Sequence, residues 1–312
     1  MLAKAKLPVF LIQNVGATEV RAALAFALKN DITVLRAALN TIDQHEAIME
    51  REIVVPVGSV QFVERAMRQC GFKKPAGITY PEPLRAKGFF LRDITPVLLY
   101  DLPPLDPQRP CFIKPAGVKT FDGFVHKDHG NAALNAHRDE QLAVMGALAC
   151  TTPVFISDEV RFVSEWRVYV HRHAVAGIAR YDPNEGACTG PDPKWVAQVI
   201  NYYRNSGQAP VAYGLDVGQL EDGRWAIVEV NDAWALGLYS DMTDHARYFQ
   251  MLTDRWLQIK KPARDRWDPL WTKPAAEKLA EKKTTAKKVP AKKTAAKKAT
   301  PARGVRKQSE RA

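Results

Sequence analysis

The sequence predicts a small α/β region, then a larger α+β region and a basic C-terminal segment, and three observations support this order. Apolar segments of strand and helix length alternate at first, which is typical of parallel strands joined by helices. From Phe89 onward, longer β-rich segments carry polar side chains. The last forty residues, from Lys273, hold 14 Lys or Arg and 3 Asp or Glu, and so carry the whole net charge of +11. We therefore predict domains at 1–88 and 89–262 and a disordered basic tail at 263–312.

The composition argues against several other classes of protein. Once the tail is set aside, basic and acidic residues are equal in number, so the body is formally neutral. The four cysteines are too far apart for a Cys-x-x-Cys metal or redox motif. No apolar run approaches the roughly twenty residues of a membrane span, and the run at 7–12 is too short for a signal peptide. We predict a cytoplasmic protein that has no membrane partner.

The first region is predicted to contain three strands and two helices. Thr18 and Ser59 have side chains that cap helix N-termini, and Gly71 suits the left-handed residue that ends a helix. A linker rich in Lys, Pro and Gly follows at 73–87. The predicted strands are 9–12, 32–35 and 53–57, and the predicted helices are 20–28 and 59–70.

One lysine lies inside an apolar strand near the start of the second region. Lys114 belongs to the strand 111–115, and a Gly-containing loop with Lys119 and Gly123 follows it. A lysine in this setting suits a clamp for a phosphate group. It suits equally well an edge strand from which the amine reaches water. The sequence leaves both interpretations open.

Two later strands and a turn carry further charged side chains. The strand at 153–160 runs into a polar segment that resembles a hinge. The next strand alternates, so that Glu165 and Arg167 share one face, and the returning strand carries Arg180. We assign the two histidines of the turn, one of them His171, to a polar hairpin tip because no third metal ligand has suitable spacing.

The segment 213–231 is predicted to form a β-hairpin around Asp222-Gly223, a strong signal for a two-residue type I′ turn. Counting outward from such a turn places Asp216 opposite Glu229, with Asn231 on the same face and diagonal to Asp216. Opposed carboxylates repel unless a cation lies between them, and oxygen ligands with open positions suit Mg²⁺. The alternative is an exposed strand face with unpaired acids.

In their order, these residues resemble the ATP-grasp superfamily over residues 90–260, and they are similar to a bacterial and phage subgroup of it. The resemblance implies an ATP-grasp fold, in which two α+β subdomains clasp a nucleotide, preceded by a small α/β Rossmann-like domain. The ordered set is Lys114 in Phe-Ile-Lys-Pro, the Gly-containing loop, a hinge strand near Ser157, Glu165-x-Arg167, Arg180, Asp216 and Glu229-x-Asn231.

The resemblance also implies a role for each matching residue, with ATP and Mg²⁺ as cofactors. The implied nucleotide contacts are Lys114, Lys119 and Gly123 for the phosphates, Ser157 and Val160 in the hinge for adenine, and Glu165 for ribose. The implied metal ligands are Asp216, Glu229 and Asn231, and the implied catalytic contacts to phosphate or acyl phosphate are Arg167 and Arg180. Ser157 departs from the family pattern, because many members have an acid there.

Such a resemblance implies a ligase that joins a carboxylate to an amine or a thiol. ATP would phosphorylate a small-molecule or peptide carboxylate, and the acceptor would then displace phosphate. Metal, lysine and arginine provide the positioning and the neutralisation of charge that phosphoryl transfer requires. Trp234 and Tyr239 follow the metal residues and either border the acceptor pocket or pack in the core. A kinase that stops at phosphoryl transfer uses a similar set of residues.

The tail contains paired lysines at a period of five, which matches neither a helix nor a strand. It resembles the tails of linker-histone-like bacterial proteins, which implies a nucleic-acid partner and association with the nucleoid. Binding would weaken as salt rises. The alternatives are a tail that only aids solubility, and a polyanion-binding protein whose ATP-grasp-like body is inactive or regulatory. The lysine pairs are 282–283, 287–288, 292–293 and 297–298.

Overall fold

Three β-sheets with helices packed against them form the part of the chain that the computed structural model describes, residues 8–51, 54–117, 119–182 and 189–260. The predicted tail at 263–312 lies outside these residues. The division at 88/89 stays a prediction. The strands are β1 (Val9–Gln13), β2 (Val34–Ala37), β3 (Val54–Val57), β4 (Ile94–Leu98), β5 (Cys111–Pro115), β6 (Phe124–His126), β7 (Pro153–Asp158), β8 (Phe162–His171), β9 (Ala174–Arg180), β10 (Ala212–Leu220) and β11 (Trp225–Asp232).

The α-helices precede or follow these strands and cover their apolar faces. Three short 3₁₀ helices, Ile42–His45, Leu99–Asp101 and Ala233–Ala235, complete the described elements. No helix among the described residues combines the length and the apolar character needed to cross a bilayer. The α-helices are α1 (Thr18–Lys29), α2 (Glu46–Arg51), α3 (Val60–Gln69), α4 (Glu82–Ala86), α5 (Ala132–Gly146), α6 (Pro193–Asn205) and α7 (His245–Lys260).

The first sheet is parallel, in the order β2-β1-β3, as the strand and helix alternation predicted. The Ser59 side chain accepts a hydrogen bond from the Phe62 N–H at the start of α3, and Gly71 has a φ of +67°, so both predicted signals are confirmed. The cap predicted at Thr18 is wrong. Ala17 occupies the N-cap position of α1, and no side chain caps that helix.

The second strand begins two residues later than predicted, because the residues that precede it form the end of α1. Asp31 adopts a left-handed conformation, with a φ of 53°, and the Ile32 N–H donates to the Ala27 carbonyl at 2.9 Å. This arrangement is a common way to end a helix. The predicted strand 32–35 is therefore observed as Val34–Ala37.

The other two sheets are antiparallel, in the orders β4-β7-β5-β6 and β11-β10-β8-β9. Residues 159–161 connect the two sheets and include the end of the predicted hinge, whose first part, with Ser157, belongs to β7. The first of these sheets holds Lys114 on β5, and the second holds the β10–β11 hairpin. Each sheet has its own hydrophobic core on one face, with Ile113, Val154 and Met145 in the first and Val168, Leu215 and Tyr203 in the second.

The turn of the β10–β11 hairpin differs from the predicted two-residue turn. Of the described turn residues, only Gly223 has a positive φ, +83°, whereas a type I′ turn also requires one at Asp222. The Leu220 N–H donates to the Arg224 carbonyl at 2.8 Å, so the loop consists of the three residues 221–223. A three-residue loop shifts the pairing of the two strands by one residue.

A bulge in β11 reverses this shift before the strand reaches the polar residues. Val217 pairs with Ile227, yet the next residue, Asp216, pairs with Glu229, so Val228 is an additional residue in β11. The predicted pairing of Asp216 with Glu229 is therefore confirmed, although the predicted turn is wrong. A bulge also bends and twists the strand that contains it.

Candidate functional site

A buried ion pair lies at the centre of one face of the sheet formed by β8 to β11. Arg167 on β8 is directly opposite Asp216 on β10. Its Nε and Nη2 donate to Asp216 Oδ1 and Oδ2, each at 2.7 Å, and the two side chains are only 9% and 3% exposed. Gly214 beside them makes room, since a Cβ there would lie 3.3 Å from Arg167 Nε. Burial raises the pKa of Asp216 to about 6, although the hydrogen bonds from Arg167 oppose this rise.

A second ion pair connects the two antiparallel sheets. Lys114 Nζ on β5 donates to Glu229 Oε2 on β11 at 2.6 Å, and both side chains are part-buried. The lysine also lies over the ring of Tyr80, 5.2 Å from its centroid. Burial alone would raise the pKa of Glu229, but the charge and hydrogen bond of Lys114 hold it below its ordinary value. The edge-strand interpretation of Lys114 does not hold, because β5 is an inner strand of its sheet.

Asn231 brings the two carboxylates together. Its Nδ2 donates to Asp216 Oδ2 at 3.0 Å and to Glu229 Oε1 at 2.9 Å, so two carboxylate oxygens converge on one atom. If the Asn231 amide were rotated by 180°, its oxygen would take the place of Nδ2 between the two carboxylates. Asp216, Glu229 and Asn231 would then offer one oxygen ligand each.

These ligands fit a magnesium ion, which commonly takes one or two carboxylates and completes its shell with water and substrate phosphates. Among residues 8–51, 54–117, 119–182 and 189–260, no group of three or more His, Cys, Asp or Glu side chains could hold a metal ion. The predicted site therefore depends on the amide of Asn231 as well as on two acids. That Asp216, Glu229 and Asn231 bind Mg²⁺ stays a prediction.

Glu165 lies on the same sheet face as Arg167, two residues away on β8. Its Oε2 accepts a hydrogen bond from the Tyr181 hydroxyl at 2.7 Å. Tyr181 stacks on Tyr239 with ring centroids 5.1 Å apart, and the Arg167 guanidinium lies 4.8 Å from the centroid of the Tyr239 ring. Burial raises the pKa of Glu165, and the Tyr181 hydrogen bond opposes that rise. The face therefore offers a polar acid beside an aromatic stack.

The loop that follows β5 returns close beside Lys114 at Gly123. A Cβ at Gly123 would lie 2.7 Å from the Phe112 ring and 3.2 Å from Lys114 Cβ, so only glycine permits this approach. Lys119 is exposed and pairs with Asp122 at 2.6 Å. This position agrees with a loop that covers phosphates, but the phosphate contacts of Lys119 and Gly123 remain predictions.

The predicted adenine and catalytic residues lie in different places. Ser157 is buried on β7, and its hydroxyl donates to the Asp158 carbonyl. Val160 belongs to the segment 159–161 that connects the two sheets. Arg180 pairs across the sheet with Trp166, so it points to the face opposite Arg167. It donates to Asp182 at 2.7 Å. The structure therefore groups Arg167 with the predicted metal residues and separates Arg180 from them.

Two residues at this site were missed from the sequence. Tyr181 continues the alternation of β9 onto the Glu165 face, so the strand pattern could have indicated it. Arg92 gave no such signal. It lies in a turn, and it contacts residues about 135 positions away in the chain, the carbonyls of Ile227 and Val228.

Comparison with known proteins identifies the fold. Three of the solved structures that are similar to this chain, all at low sequence identity, are representative. A RimK domain protein ATP-grasp from Sphaerobacter thermophilus has a TM-score of 0.52 and 12% identity, covering 80% of this chain and 99% of that one. An L-amino acid ligase from Bacillus licheniformis has a TM-score of 0.51 and 12% identity, covering 81% and 76%. D-alanine–D-alanine ligase from Bacillus anthracis has a TM-score of 0.50 and 13% identity, covering 82% and 99%.

At these identities the likeness establishes the ATP-grasp fold alone, which confirms that part of the predicted fold class, whereas the preceding Rossmann-like domain stays a prediction. A search of curated proteins by sequence gave no match. The model of one family, an ATP-grasp domain described as family 2 of its clade, matches residues 89–251, which is more than half of the chain. The chain therefore belongs to this family of ATP-grasp domains.

Proposed function

We propose that this protein is an ATP- and Mg²⁺-dependent ligase that joins a small-molecule or peptide carboxylate to an amine or thiol through an acyl phosphate. One observation carries the proposal. Lys114 of one sheet reaches Glu229 of the other, beside Asp216 and Asn231, so a cationic group and three metal-binding side chains meet where the two sheets face each other. Phosphoryl transfer requires this combination of charges.

The ion pairs of the site suggest how it changes when nucleotide binds. Lys114 and Glu229 neutralise each other at 2.6 Å. Glu229, Asp216 and Asn231 would hold the magnesium ion, and Lys114, no longer needed to neutralise Glu229, would contact the phosphates of ATP. When bound, the metal would offset the negative charge that spreads over the transferred phosphoryl group.

Arg167 is suited to hold the reacting groups rather than to move. Its two hydrogen bonds to Asp216 and its contact with the Tyr239 ring fix the guanidinium. Gly237 lies beside it, since a Cβ added at Gly237 would lie 3.7 Å from Arg167 Nη1. A fixed positive charge beside the metal would stabilise an acyl phosphate without reorganisation. Arg180, on the opposite face, is no longer proposed to contact the reacting groups.

The classes of donor and acceptor are proposed from two of the similar proteins. The relatives named above include an L-amino acid ligase and a D-alanine–D-alanine ligase. They support a small carboxylate as donor and an amine as acceptor, because both names describe amino acids joined to one another. Tyr239 is part-buried and borders this face through its contact with Arg167. Trp234 is part-buried too, but it packs against the hydrophobic core that contains the first sheet.

Calorimetric titration of Mg·ATP into the full-length protein tests the proposal. Wild type should bind in a magnesium-dependent manner, and Glu229→Gln and Lys114→Met should each lose that binding. Glu221→Gln is the matched control, because Glu221 lies on the same hairpin but is exposed at its turn. Absence of binding by wild type would refute the proposal. Binding that survives both site substitutions would refute the assigned site.

The basic tail supports a second proposal, that it binds a nucleic acid or another polyanion. The support is its charge, since four lysine pairs recur every five residues while the body is neutral. Deletion of 273–312 should leave ATP turnover intact and abolish retention on DNA or RNA at low salt. Equal retention by the truncated protein would contradict this proposal without affecting the ligase proposal.

A further inference from the structure

The segment 79–92 runs along the outer edge of β11, the edge strand of its sheet. The Ile227 N–H donates to the Phe89 carbonyl at 3.0 Å, and the Val230 N–H donates to the Thr79 carbonyl at 2.9 Å. Without the segment 79–92, these two N–H groups would point away from the sheet, with no neighbouring strand to accept their hydrogen bonds. The segment therefore supports β11 on both sides of the bulged residue, Val228.

Arg92 makes the contacts to the bulge itself. Its Nη1 donates to the Ile227 carbonyl at 2.9 Å and its Nη2 donates to the Val228 carbonyl at 2.8 Å. The two carbonyls belong to consecutive residues, and in a regular strand consecutive carbonyls point in opposite directions. One planar guanidinium can bind both because the bulge turns them towards the same side.

Aromatic rings hold the guanidinium in this position. It lies 5.6 Å from the centroid of Tyr80, 5.5 Å from that of Phe90 and 5.8 Å from that of Phe162. Tyr80 is also the ring beneath Lys114 Nζ. Arg92 is thus packed against the same side chain that supports the lysine of the site.

The position of Glu229 depends on this bulge. Near the turn, Val217 pairs with Ile227. If the ladder continued without the bulge, Val228 would lie opposite Asp216 and Glu229 would lie opposite Leu215. Because adjacent strand residues point to opposite faces, Glu229 would then project into the hydrophobic core with Leu215, which is fully buried.

We propose that Arg92 is a positioning residue for the magnesium site. By binding the Ile227 and Val228 carbonyls, Arg92 holds the bulge that brings Glu229 opposite Asp216. This inference rests on the proposed function for its metal role. Groups that hold metal ligands in position without touching the metal contribute strongly to metal affinity. Loss of such a group weakens metal binding by roughly 10- to 100-fold.

Arg92→Lys is the principal test, with Arg85→Lys as its matched control. Lysine keeps the positive charge among the rings but cannot bridge two carbonyls with a planar group. Arg85 makes the same type of contact from the same segment, to the carbonyls of Tyr80 and Ile94, but does not touch β11 in any of these bonds. A general loss of packing would affect both variants.

The first measurement is hydrogen exchange of the peptide covering residues 225–232 in metal-free protein. Arg92→Lys should speed exchange in this peptide at least several-fold, and Arg85→Lys should leave it as in wild type. Unchanged exchange in the Arg92 variant would overturn the claim that Arg92 holds the bulge. This result does not depend on nucleotide binding.

The second measurement is the concentration of Mg²⁺ at which ATP binding is half-maximal, determined by calorimetry on the full chain. Arg92→Lys should raise it by roughly 10- to 100-fold, while saturating Mg²⁺ restores the wild-type affinity for ATP. A purely structural role would instead lower ATP affinity at every Mg²⁺ concentration, and that result would overturn the proposal. A wild-type protein without magnesium-dependent binding would refute the proposed function, whereas the exchange measurement would still decide the role of Arg92 in the fold.

A deletion of Val228 provides an independent variant. It removes the bulge and leaves Glu229 opposite Asp216 in a continuous ladder, so adding Arg92→Lys to it should change the Mg²⁺ requirement little. An undiminished effect of Arg92→Lys in that background would overturn the proposal. If the deletion prevents folding, Arg92→Met, which has no donor for either carbonyl, should reproduce the effect of Arg92→Lys.

Discussion

Arg167 and Asp216 form a buried ion pair, so we expect that substituting either residue lowers the free energy of unfolding strongly, and that the two substitutions do so by different amounts. Each of its two charged hydrogen bonds contributes about 1.5–3 kcal/mol. Asp216→Leu would leave Arg167 buried and charged, because arginine cannot lose its proton in a protein, so the free energy of unfolding should fall by about 3–5 kcal/mol. Arg167→Met should cost less at pH 6 than at pH 8, since Asp216, whose pKa is already raised to about 6, can take up a proton.

The double variant Arg167→Met/Asp216→Leu should be more stable than the sum of the single changes predicts, because two apolar side chains leave no unpaired charge behind. Urea unfolding followed by circular dichroism measures all four proteins. The exposed pair of Arg224 and Asp222 on the hairpin turn is the control, and its double-mutant cycle should give no measurable coupling. Additive effects at Arg167 and Asp216 would refute this account of the buried pair.

Three further predictions concern other parts of the described fold. Burial alone would raise the pKa of Asp254, but the His171 hydrogen bond holds it below its ordinary value. The contribution of Asp254 to stability is therefore present above about pH 4 and is lost as pH falls through the lowered pKa. Asp254→Asn should destabilise by about 1–3 kcal/mol at pH 7, and its effect should shrink progressively as the solution is made more acidic; an effect that stays constant with pH would contradict this. Gly123→Ala should displace the loop from the Phe112 ring, 2.7 Å from the new Cβ, and weaken ATP binding in calorimetry without changing the melting temperature greatly. Ser59→Ala should lower the free energy of unfolding by about 1 kcal/mol through loss of a helix cap, and an unchanged value would show that the cap contributes nothing.

The β10–β11 hairpin shows how far the sequence could predict the site. The pairing of Asp216 with Glu229 was predicted correctly, although the turn has three residues instead of two and a bulge at Val228 reverses the shift. Alternation of polar and apolar residues specified which side chains had to share the polar face of the sheet. That constraint is stronger than the preference of Asp222-Gly223 for one turn type, so the correct pair followed from an incorrect turn.

The remaining differences arise from contacts between distant parts of the chain. Arg92 meets β11 more than 130 residues away, and no local pattern indicates this contact. The placement of Arg180 among the catalytic residues came from the order of motifs and not from strand alternation. Its pairing with Trp166 puts it on the other face. Strand alternation therefore predicted the face on which Arg167 lies, whereas the order of motifs did not indicate that Arg180 lies on the other face.

A crystal structure of the protein with a non-hydrolysable ATP analogue and Mn²⁺, located by anomalous scattering, tests the central claim most directly. The account predicts a metal ion about 2.1 Å from oxygens of Asp216, Glu229 and Asn231, with Lys114 moved from Glu229 to the phosphates. Phosphates beside Arg180 on the opposite face of the sheet, or a metal ion with no ligand among Asp216, Glu229 and Asn231, would contradict it.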